Sequence, residues 1–428
     1  MIPDKWIFKK TGHGKEREIF AWAMYDWANS GFATVVMAGF FPVFFKEYWS
    51  AAQNTVETTF RLGTANSVSC LIMLFFAPFL GGIADRVQAK KGFLFIFAMI
   101  GIAGTAGLYF VMKGDWLGAA ALYIISTIGF MGGDIFYDAL ILTVSEERAL
   151  DRVSALGFAL GYLGGGILLA FCILMTLWPR HFWLNGQAEA VRLSFLLTAM
   201  WWAIFSIPIF ACVKERVTGP RGGIINAIFE GVKEVAVTCR EISGFKNAFI
   251  FLIAYWLYID GVGTIIRMAV DYGLSIGFSA GGLILALLIT QIVGFPASIA
   301  FGKIGAKKGA KTGILIGLIG YMLVTIFGAA MTKVWEFYAM AVAIGIIQGG
   351  VQLLSRSLYA RLIPAERSAQ FFGLYNMLGK FAAIIGPFMV GWVGIKTGSH
   401  RAGILSLLSL FMLGTAILLP VKEERNGL

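Results

Sequence analysis

Charged residues are scarce in this chain. Only 14% of its 428 residues are Asp, Glu, Lys or Arg, whereas 58% are hydrophobic and the mean hydropathy is +0.78. In soluble domains roughly a quarter of the residues are charged, because their surfaces must be solvated. This composition excludes a soluble globular protein and predicts a polytopic membrane protein.

Histidine and cysteine are scarce as well. His13, His181 and His400 all lie outside the apolar runs, which argues against an intramembrane metalloprotease or acyltransferase. The four cysteines are scattered singly, without the CxxC spacing of metal or redox sites. No GxxxxGKS or GxxxxGKT motif occurs, so the sequence does not predict an ATP-driven pump. We therefore expect no enzyme activity, no metal and no cofactor.

Twelve apolar runs are each long enough to cross a bilayer. A hydrocarbon core about 30 Å thick needs roughly 20 helical residues. Helices are expected because lipid cannot satisfy backbone groups, and no run alternates as barrel strands do. We expect no cleavable signal peptide, because the first 18 residues are polar and basic. The predicted spans cover residues 19–45, 60–83, 92–112, 117–143, 153–177, 192–213, 247–270, 278–301, 311–331, 335–360, 369–395 and 402–420.

Lysine and arginine predict the orientation of these spans. With both termini cytoplasmic, 24 Lys and Arg residues lie in cytoplasmic segments and 8 lie in outside segments. Cytoplasmic loops of membrane proteins carry such an excess. We therefore interpret the net charge of +11 as a topology signal rather than as a nucleic-acid-binding surface.

One longer polar segment divides the spans into six and six. Residues 214–246 place apolar side chains at helical spacing among charges, which predicts an amphipathic helix on the cytoplasmic surface. The expected domains are an N-terminal six-helix half at residues 1–213 and a C-terminal six-helix half at residues 247–428, with this segment as linker.

An internal repeat relates the two halves. The tetrapeptide AKKG follows span 2 at residues 89–92 and span 8 at residues 306–309, an offset of 217. A Gly-Gly pair occurs at 132–133 in span 4 and at 349–350 in span 10, at the same offset. Two six-helix halves in parallel repeat are typical of the major facilitator fold.

The segment GGIADRVQAKKG between spans 2 and 3 resembles the loop motif of major facilitator proteins. The resemblance implies that Gly82 lets two helices approach closely. It also implies that Asp85 lies at the N-terminal end of span 11, where free N–H groups favour a negative charge. Arg86, Lys90 and Lys91 are expected to add cytoplasmic contacts. Together these residues would form a gating motif.

The motif departs from the family pattern at Gln88 and Ala89. Its second copy, FGKIGAKKG after span 8, has Gly302 where the repeat predicts an acid. We therefore expect the contact made by the first copy to matter and the contact made by the second to be weak. The alternative is that both segments are ordinary positive-inside loops.

Ionisable residues inside the spans are candidates for function, because each costs about 2.5–3.5 kcal/mol on insertion scales. Most fall on spans 1, 4, 7 and 10, the cavity-lining spans that the major facilitator resemblance implies. They are Asp26 in span 1, Asp134 and Asp138 in span 4, Asp260 and Arg267 in span 7, Arg356 in span 10 and Lys380 in span 11.

Helical spacing groups these residues into stripes and layers. Positions three or four apart share a helix face, and each residue advances about 1.5 Å along the axis. One stripe holds Asp134, Tyr137 and Asp138, and another holds Gln348, Gln352, Ser355 and Arg356. A cytoplasmic layer holds Asp26, Asp138 and Arg356, and a mid-depth layer holds Asp134, Asp260 and Lys380. We expect a transport site at mid-depth and a charge network below it that breaks as the halves rock.

Structural roles remain as alternatives. Asp26 could be a helix-start acid satisfied by free N–H groups or by Asn29, and Lys380 could extend to the interface. Asp134 and Asp138 could form a purely structural pair. Two carboxylates one turn apart repel, however, so we expect one of them to hold a proton, as proton coupling requires.

Four spans carry a family resemblance. The segments are YDWANSGFATVV with FFPVFF in span 1, GYLGGG in span 5, YIDGVGTI in span 7 and GIIQGGVQLLSRSLYARLIP in span 10. Together they resemble the bacterial "unknown major facilitator" family, which is related to the fungal autophagy-linked vacuolar amino-acid effluxers. The resemblance runs along the whole chain. It implies a function for Tyr25, Asp26, Asn29, Asp260, Gln348, Gln352, Ser355 and Arg356.

These patterns predict a secondary active transporter that works by alternating access and is coupled to H⁺. The expected substrate is a small zwitterion such as an amino acid or peptide, which the related effluxers imply. The alternatives are a transporter of lysophospholipid or another amphiphile, and a non-transporting membrane sensor or assembly factor. We expect a monomer in a bacterial inner membrane, in contact with membrane lipid, with no nucleic-acid partner.

Overall fold

Long helices make up nearly all of the described part of the protein in this computed structural model. The structure describes residues 13–50, 55–215, 245–275, 280–331, 333–381 and 385–423. The helices are α1 (His13–Gly31, continued by Phe32–Phe40, Phe41–Phe44 and Phe45–Trp49), α2 (Thr55–Val87), α3 (Lys90–Gly107), α4 (Trp116–Val144), α5 (Leu150–Leu177), α6 (Gln187–Cys212), α7 (Lys246–Ser275), α8 (Ala280–Lys308), α9 (Ala310–Ala330), α10 (Val334–Leu362), α11a (Ser368–Phe381), α11b (Ile385–Thr397) and α12 (His400–Leu418). Short 3-10 turns lie at Leu108–Phe110, Glu147–Ala149, Pro179–Phe182 and Ala365–Arg367.

Eleven helices within the described residues are long and apolar enough to cross a membrane. The remaining predicted span, 369–395, falls on α11a and α11b, on either side of residues 382–384. The prediction of an all-α polytopic membrane protein is therefore confirmed. The predicted amphipathic helix of residues 214–246 lies almost entirely outside the described residues.

Helix α1 is wound unevenly. Phe32–Phe40 and Phe45–Trp49 are π-helical, and the N–H of Phe41 donates to the carbonyl of Val36, five residues earlier. Pro42 follows the first π segment and has no N–H to donate. Such segments inside helices are frequent at functional sites, and hydrophobic periodicity did not predict this one.

The helices pack as two bundles of six. In the first half α1 packs against α5 and α6, and α3 packs against α4 and α6. In the second half α10 packs against α8 and α9, and α12 packs against α7 and α11b. The halves meet where α5 packs on α8 and α2 on α11a, with further contacts of α10 to α5 and of α11a to α4. We name the side on which α1 begins and α12 ends the terminal side, and the opposite side the far side.

A carboxylate caps the third helix of each half on the terminal side. Glu215, just after α6, accepts the N–H groups of the first two residues of α3 at 2.5 and 3.2 Å. Glu423, just after α12, accepts those of the first two residues of α9 at 3.0 and 3.2 Å. The free N–H groups of a helix start favour an anion there. Burial raises the pKa of the Glu215 carboxyl, although these N–H groups act in the opposite direction.

A lysine at the second position of α3 and of α9 closes each half. Lys91 Nζ donates to the carbonyl oxygens of Phe210 (3.2 Å) and Val213 (2.9 Å) at the end of α6. Lys311 Nζ donates in the same way to carbonyls at the end of α12 and just beyond it. The structural equivalent of Lys91 is therefore Lys311, an offset of 220, and not Lys308 as the AKKG repeat predicts. Lys91 thus acts within the first half rather than between the halves.

Helices α2 and α11a touch backbone to backbone. A Cβ atom built on Gly81 would lie 2.3 Å from the carbonyl oxygen of Ala369, and one built on Gly373 would lie 2.8 Å from that of Ala77. Both positions therefore require glycine, because small residues let helix backbones meet. The loop motif assigned this close approach to Gly82, the next residue, which is also buried.

Gly81→Ala is expected to lower the stability of the protein by about 1–3 kcal/mol, the usual effect of overpacking. Gly63→Ala is the matched control in the same helix, because a Cβ there would meet no atom within 4 Å. This control should be neutral or stabilising by up to about 1 kcal/mol, since alanine favours helix. Thermal unfolding in detergent measures both variants, and equal unfolding temperatures would contradict the close approach.

Candidate functional site

A buried arginine of the second half lies between two carboxylates of the first half. Arg356 on α10 is 3% exposed. Its Nη1 lies 3.2 Å from Oδ1 of Asp138 on α4 and 3.6 Å from Oδ2 of Asp26 on α1. Two acids thus share one guanidinium away from water, where removing one partner of an ion pair is strongly destabilising.

Each of the two acids has a further hydrogen-bond partner. The Tyr137 hydroxyl donates to Oδ2 of Asp26 at 3.0 Å, so the turn of α4 that supplies Asp138 also contacts Asp26. Asn376 on α11a donates from Nδ2 to Oδ2 of Asp138, also at 3.0 Å. Asp138 is therefore bound by two helices of the opposite half, and it joins the halves more directly than Asp26 does.

Arg356 is held in one orientation by its neighbours. Its Nε donates to Oγ of Ser154 at 2.9 Å, and its Nη2 donates to the carbonyl of the same residue at 3.0 Å. The guanidinium carbon lies 4.4 Å from the ring centroid of Phe158 and 4.9 Å from that of Trp22. These cation–π contacts and the planar hydrogen-bonding fork suit arginine and not lysine.

Gly157 on α5 leaves room for the charged groups to meet. A Cβ atom built there would lie 2.8 Å from Oδ2 of Asp26 and 2.8 Å from the hydroxyl oxygen of Tyr137. It would also lie 3.1 Å from Nη2 of Arg356. Even one methyl group would displace at least one member of the network.

The loop motif makes a second contact between the halves. Asp85 at the end of α2 accepts the N–H groups of Ala369 (3.2 Å) and Gln370 (2.8 Å) at the start of α11a. Lys90 Nζ lies 2.9 Å from Oδ1 of Asp85 and donates to Oγ of Ser368 at 2.7 Å. The acid therefore lies at the helix start that the motif implied. Arg86 lies in the last turn of α2.

A third contact between the halves was not predicted. Asp151 in the first turn of α5 binds Arg361 in the last turn of α10 through two hydrogen bonds of 3.0 and 2.8 Å. Ser357 donates to the same carboxylate at 2.6 Å, and Glu423 lies 3.4 Å from Nη1 of Arg361. The contact in this region was expected to be weak because Gly302 replaces the acid of the repeat. The other half supplies an acid there instead, through a bidentate ion pair.

One sequence signal could have indicated this third contact. The tripeptide VKE occurs at residues 213–215, directly after α6, and again at residues 421–423, after α12. Its glutamate caps a helix of the same half in both cases. Asp151 and Arg361 themselves lie at helix ends, where charges are common, and the topology rule already accounts for the arginine. We name the contacts centred on Arg356, Asp85 and Arg361 together the terminal gate.

The predicted mid-depth residues have different partners. Asn29 on α1 donates from Nδ2 to Oδ1 of Asp134 on α4 at 3.0 Å, and Asp134 is half-buried. Asp260 on α7 is fully buried and accepts the N–H of Gly386 in the first turn of α11b at 3.0 Å. Lys380 lies in the last turn of α11a, and its side chain is outside the described part of the chain.

The remaining candidates lie on α1 and on the stripe of α10. Ser355 and Tyr258 of α7 share a hydrogen bond of 2.7 Å between their hydroxyl oxygens. Gln348 and Gln352 are half-buried on α10. Tyr25 is fully buried, with its ring tilted against that of Tyr137. Tyr25 thus packs against the network through Tyr137, Ser355 connects α10 to α7, and the two glutamines remain partly accessible.

The cross-half hydrogen bonds named above all lie on the terminal side. Near mid-depth, Gln291 on α8 donates to Oγ1 of Thr34 on α1 at 2.8 Å. The ring of Tyr162 on α5 fits against Gly294 and Gly349, where built Cβ atoms would each lie 2.7 Å from it. The structure is therefore closed on its terminal side, with the two halves touching as far as mid-depth.

Known proteins resemble this chain over nearly its whole length. The family described as Vacuole effluxer Atg22 like matches residues 51–144 and 143–427. The MFS-type transporter YxiO of Bacillus subtilis (strain 168) is 37% identical over 410 residues, which cover 95% of each chain. Autophagy-related protein 22-1 of Neosartorya fischeri is 26% identical over 319 residues, or 68% of this chain. The chain spans about half the length of that fungal protein, 51%.

Solved structures show the same fold. The human organic anion transporter MFSD10 (TETRAN) matches with a TM-score of 0.72 at 14% identity, over 95% of this chain and 100% of that chain. The proton:xylose symporter XylE matches with a TM-score of 0.71 at 12% identity, over 96% of each chain. The predicted major facilitator fold is thereby confirmed, and these proteins are transporters rather than enzymes. The chain is an integral membrane protein that belongs to the Vacuole effluxer Atg22 like family.

Proposed function

We propose that this protein is a secondary active transporter that works by alternating access and couples substrate movement to H⁺. The observation that carries the proposal is the sharing of Arg356 between Asp26 and Asp138 across the two halves. A charge network that joins two rocking units is made in one state and broken in the other. Its charged groups therefore change partners in every cycle.

Opening of the terminal side separates the arginine from both acids. Carboxylates that lose their guanidinium in a low-dielectric site bind a proton or another cation, because an isolated buried charge is unfavourable. Asp26 and Asp138 would then take up H⁺ or the cationic group of a substrate. Closing returns Arg356 and displaces that cation, so that the guanidinium and the transported cation compete for the same oxygens. Such competition couples the two movements.

A small zwitterion, such as an amino acid or a short peptide, is the substrate that the polar groups at mid-depth favour. Asp134, oriented by Asn29, offers a partly accessible carboxylate for an ammonium group. Gln348 and Gln352 offer amide donors for a carboxylate from the other half. The family description, a vacuole effluxer, supports transport of a solute.

The terminal side is proposed to face the cytoplasm of a bacterial inner membrane. The excess of Lys and Arg on that side supports this orientation. The rocking units are residues 1–213 and 247–428, joined by the linker 214–246, in a monomer. Asp85 and Lys90 would hold α2 to α11a in the state described here and release it when the terminal side opens.

Substrate binding is expected to raise the thermal stability of the purified protein. Amino acids, dipeptides and lysophospholipids would be screened on the wild type and on Asp134→Asn. A ligand at a hundred times its Kd adds about 2.7 kcal/mol to stability, and an ammonium ligand should lose most of that gain in the variant. Glu57→Gln is the matched control, because its carboxylate pairs with Arg61 at the exposed start of α2.

The screen separates the competing functions. If soluble zwitterions all fail and only single-chain lipids stabilise the protein, the zwitterion proposal is wrong and an amphiphile is the cargo. If no compound stabilises it and reconstituted vesicles show no flux, a sensor or assembly role replaces transport. If amino acids stabilise the wild type and Asp134→Asn equally, the carboxylate of Asp134 does not bind the ammonium group.

Arg356→Gln is expected to abolish substrate-driven H⁺ flux in proteoliposomes that contain a pH-sensitive dye. It should also destabilise the protein by about 3–5 kcal/mol, since Asp26 and Asp138 lose their counter-charge. The double variant Arg356→Gln/Asp138→Asn should regain part of that stability but no flux. Arg401→Gln is the control, because Arg401 is exposed. Coupled flux at the wild-type rate in Arg356→Gln would refute the role of the network.

A further inference from the structure

We propose that Glu423, in the segment after α12, is a positioning residue of the terminal gate that acts through Arg361. The inference rests on the proposed alternating access, because it concerns the contact that must open in each cycle. It adds a role for the end of the chain that neither the loop motif nor the intramembrane charges indicated.

The contacts form a chain of charges from the C-terminal segment to the opposite half. Glu423 Oε1 lies 3.4 Å from Nη1 of Arg361, and the same Nη1 lies 3.0 Å from Oδ1 of Asp151. The three side chains are 11%, 9% and 3% exposed, respectively. Solvent therefore screens these interactions far less than it screens a surface ion pair.

Glu423 is fixed independently of the arginine. Its carboxylate accepts two N–H groups at the start of α9, at 3.0 and 3.2 Å. Arg361 has a long side chain with much rotamer freedom, and an anchor in its own half reduces the freedom that is lost when it binds Asp151. Glu423 and Arg361 belong to the same half, so their contact is compatible with both the open and the closed gate. The arginine thus stays oriented while the gate is open.

Glu423 also competes with Asp151 for the guanidinium of Arg361, but this competition is weaker than the anchoring of the arginine by Glu423. Asp151 accepts two hydrogen bonds of 2.8 and 3.0 Å in the bidentate geometry that favours Arg–carboxylate pairs. Glu423 makes a single longer contact with Arg361. Loss of the Glu423 charge is therefore expected to loosen the gate rather than to tighten the pair that remains.

The first half offers a matched control. Glu215 caps α3 as Glu423 caps α9, with N–H contacts of 2.5 and 3.2 Å. The hydrogen bonds described for its carboxylate go to backbone N–H groups of its own half. Glu215→Gln and Glu423→Gln should therefore weaken two equivalent caps, but only the second should act on a cross-half arginine.

Hydrogen–deuterium exchange of the full-length protein in lipid nanodiscs tests the proposal. In Glu423→Gln, amides of 150–156 and 354–362 should exchange about tenfold faster, the order expected for loss of a charge-assisted hydrogen bond. Amides of 41–49 and 280–288 on the far side should exchange more slowly, because the population shifts to the state that is open at the terminal side. Glu423→Asp should restore part of the wild-type pattern. Glu215→Gln should show no such opposite changes.

Two results would overturn the proposal. One is that Glu423→Gln and Glu215→Gln change exchange alike, which would make both glutamates simple helix caps. The other is that Glu423→Gln accelerates exchange as strongly in an Arg361→Gln background, since residues that act through one another are not additive. A third result separates the two proposals. If Glu423→Gln accelerates terminal-side exchange only when Arg361 is present, and far-side exchange does not slow, the role of Glu423 is supported. The same result counts against alternating access. The positioning role and the proposed function therefore fail on different observations.

Discussion

Compensation of buried charge at the meeting of the two helix bundles is the constraint on which the structure depends. Arg356 and Arg361 both lie on α10, and the first half supplies Asp26, Asp138 and Asp151 to them. Neither set is tolerable alone in a low-dielectric interior, because an uncompensated ion there is very unfavourable. The halves therefore associate through complementary charge as well as through apolar packing, and this charge pattern is what distinguishes their contact from an ordinary helix–helix interface.

The neighbouring backbone adapts to this constraint. Gly157 has no side chain where three charged or polar groups converge, and Gly81 has none where α2 meets α11a. Carboxylates at helix starts also compensate buried charge. Asp85 and Glu423 each bind free N–H groups of a helix start and one basic side chain. Each acid is thus satisfied twice, once by a helix start and once by a basic side chain. A contact built in this way can separate without leaving a carboxylate wholly unpaired.

Much of the fold followed from the sequence, because spans in lipid must be long and apolar and their few charges stand out against that background. The same reasoning indicated Asp26, Asp138 and Arg356, which the structure brings together. Depth along the spans grouped these three residues into one layer, but it could not give their individual contacts. Spacing paired Asp134 with Asp138 along α4, since periodicity reports only neighbours within a helix, whereas Asp138 and Asp26 share a partner from α10.

Charges at helix ends were the other failure. Arg361 was counted as a topology signal, and Asp151 was not singled out, because both positions are compatible with an ordinary solvated loop. The π-helical winding of α1 has no periodic signature, although Pro42 marks its place. The AKKG motif repeats at an offset of 217, whereas the two lysines that make equivalent contacts, Lys91 and Lys311, lie 220 residues apart. The motif match therefore located the region but not the equivalent lysine. Side-chain contacts were needed to align the halves.

The division of charge between the halves also has a consequence for biosynthesis. A ribosome completes Asp138 218 residues before Arg356, and Asp151 210 residues before Arg361. The first six helices therefore enter the bilayer while their acids still lack counter-charges, and these acids must remain protonated or hydrated until α10 arrives. Domains generally fold in order of synthesis, but here three acids of the first bundle gain their arginine partners only when α10 has been made.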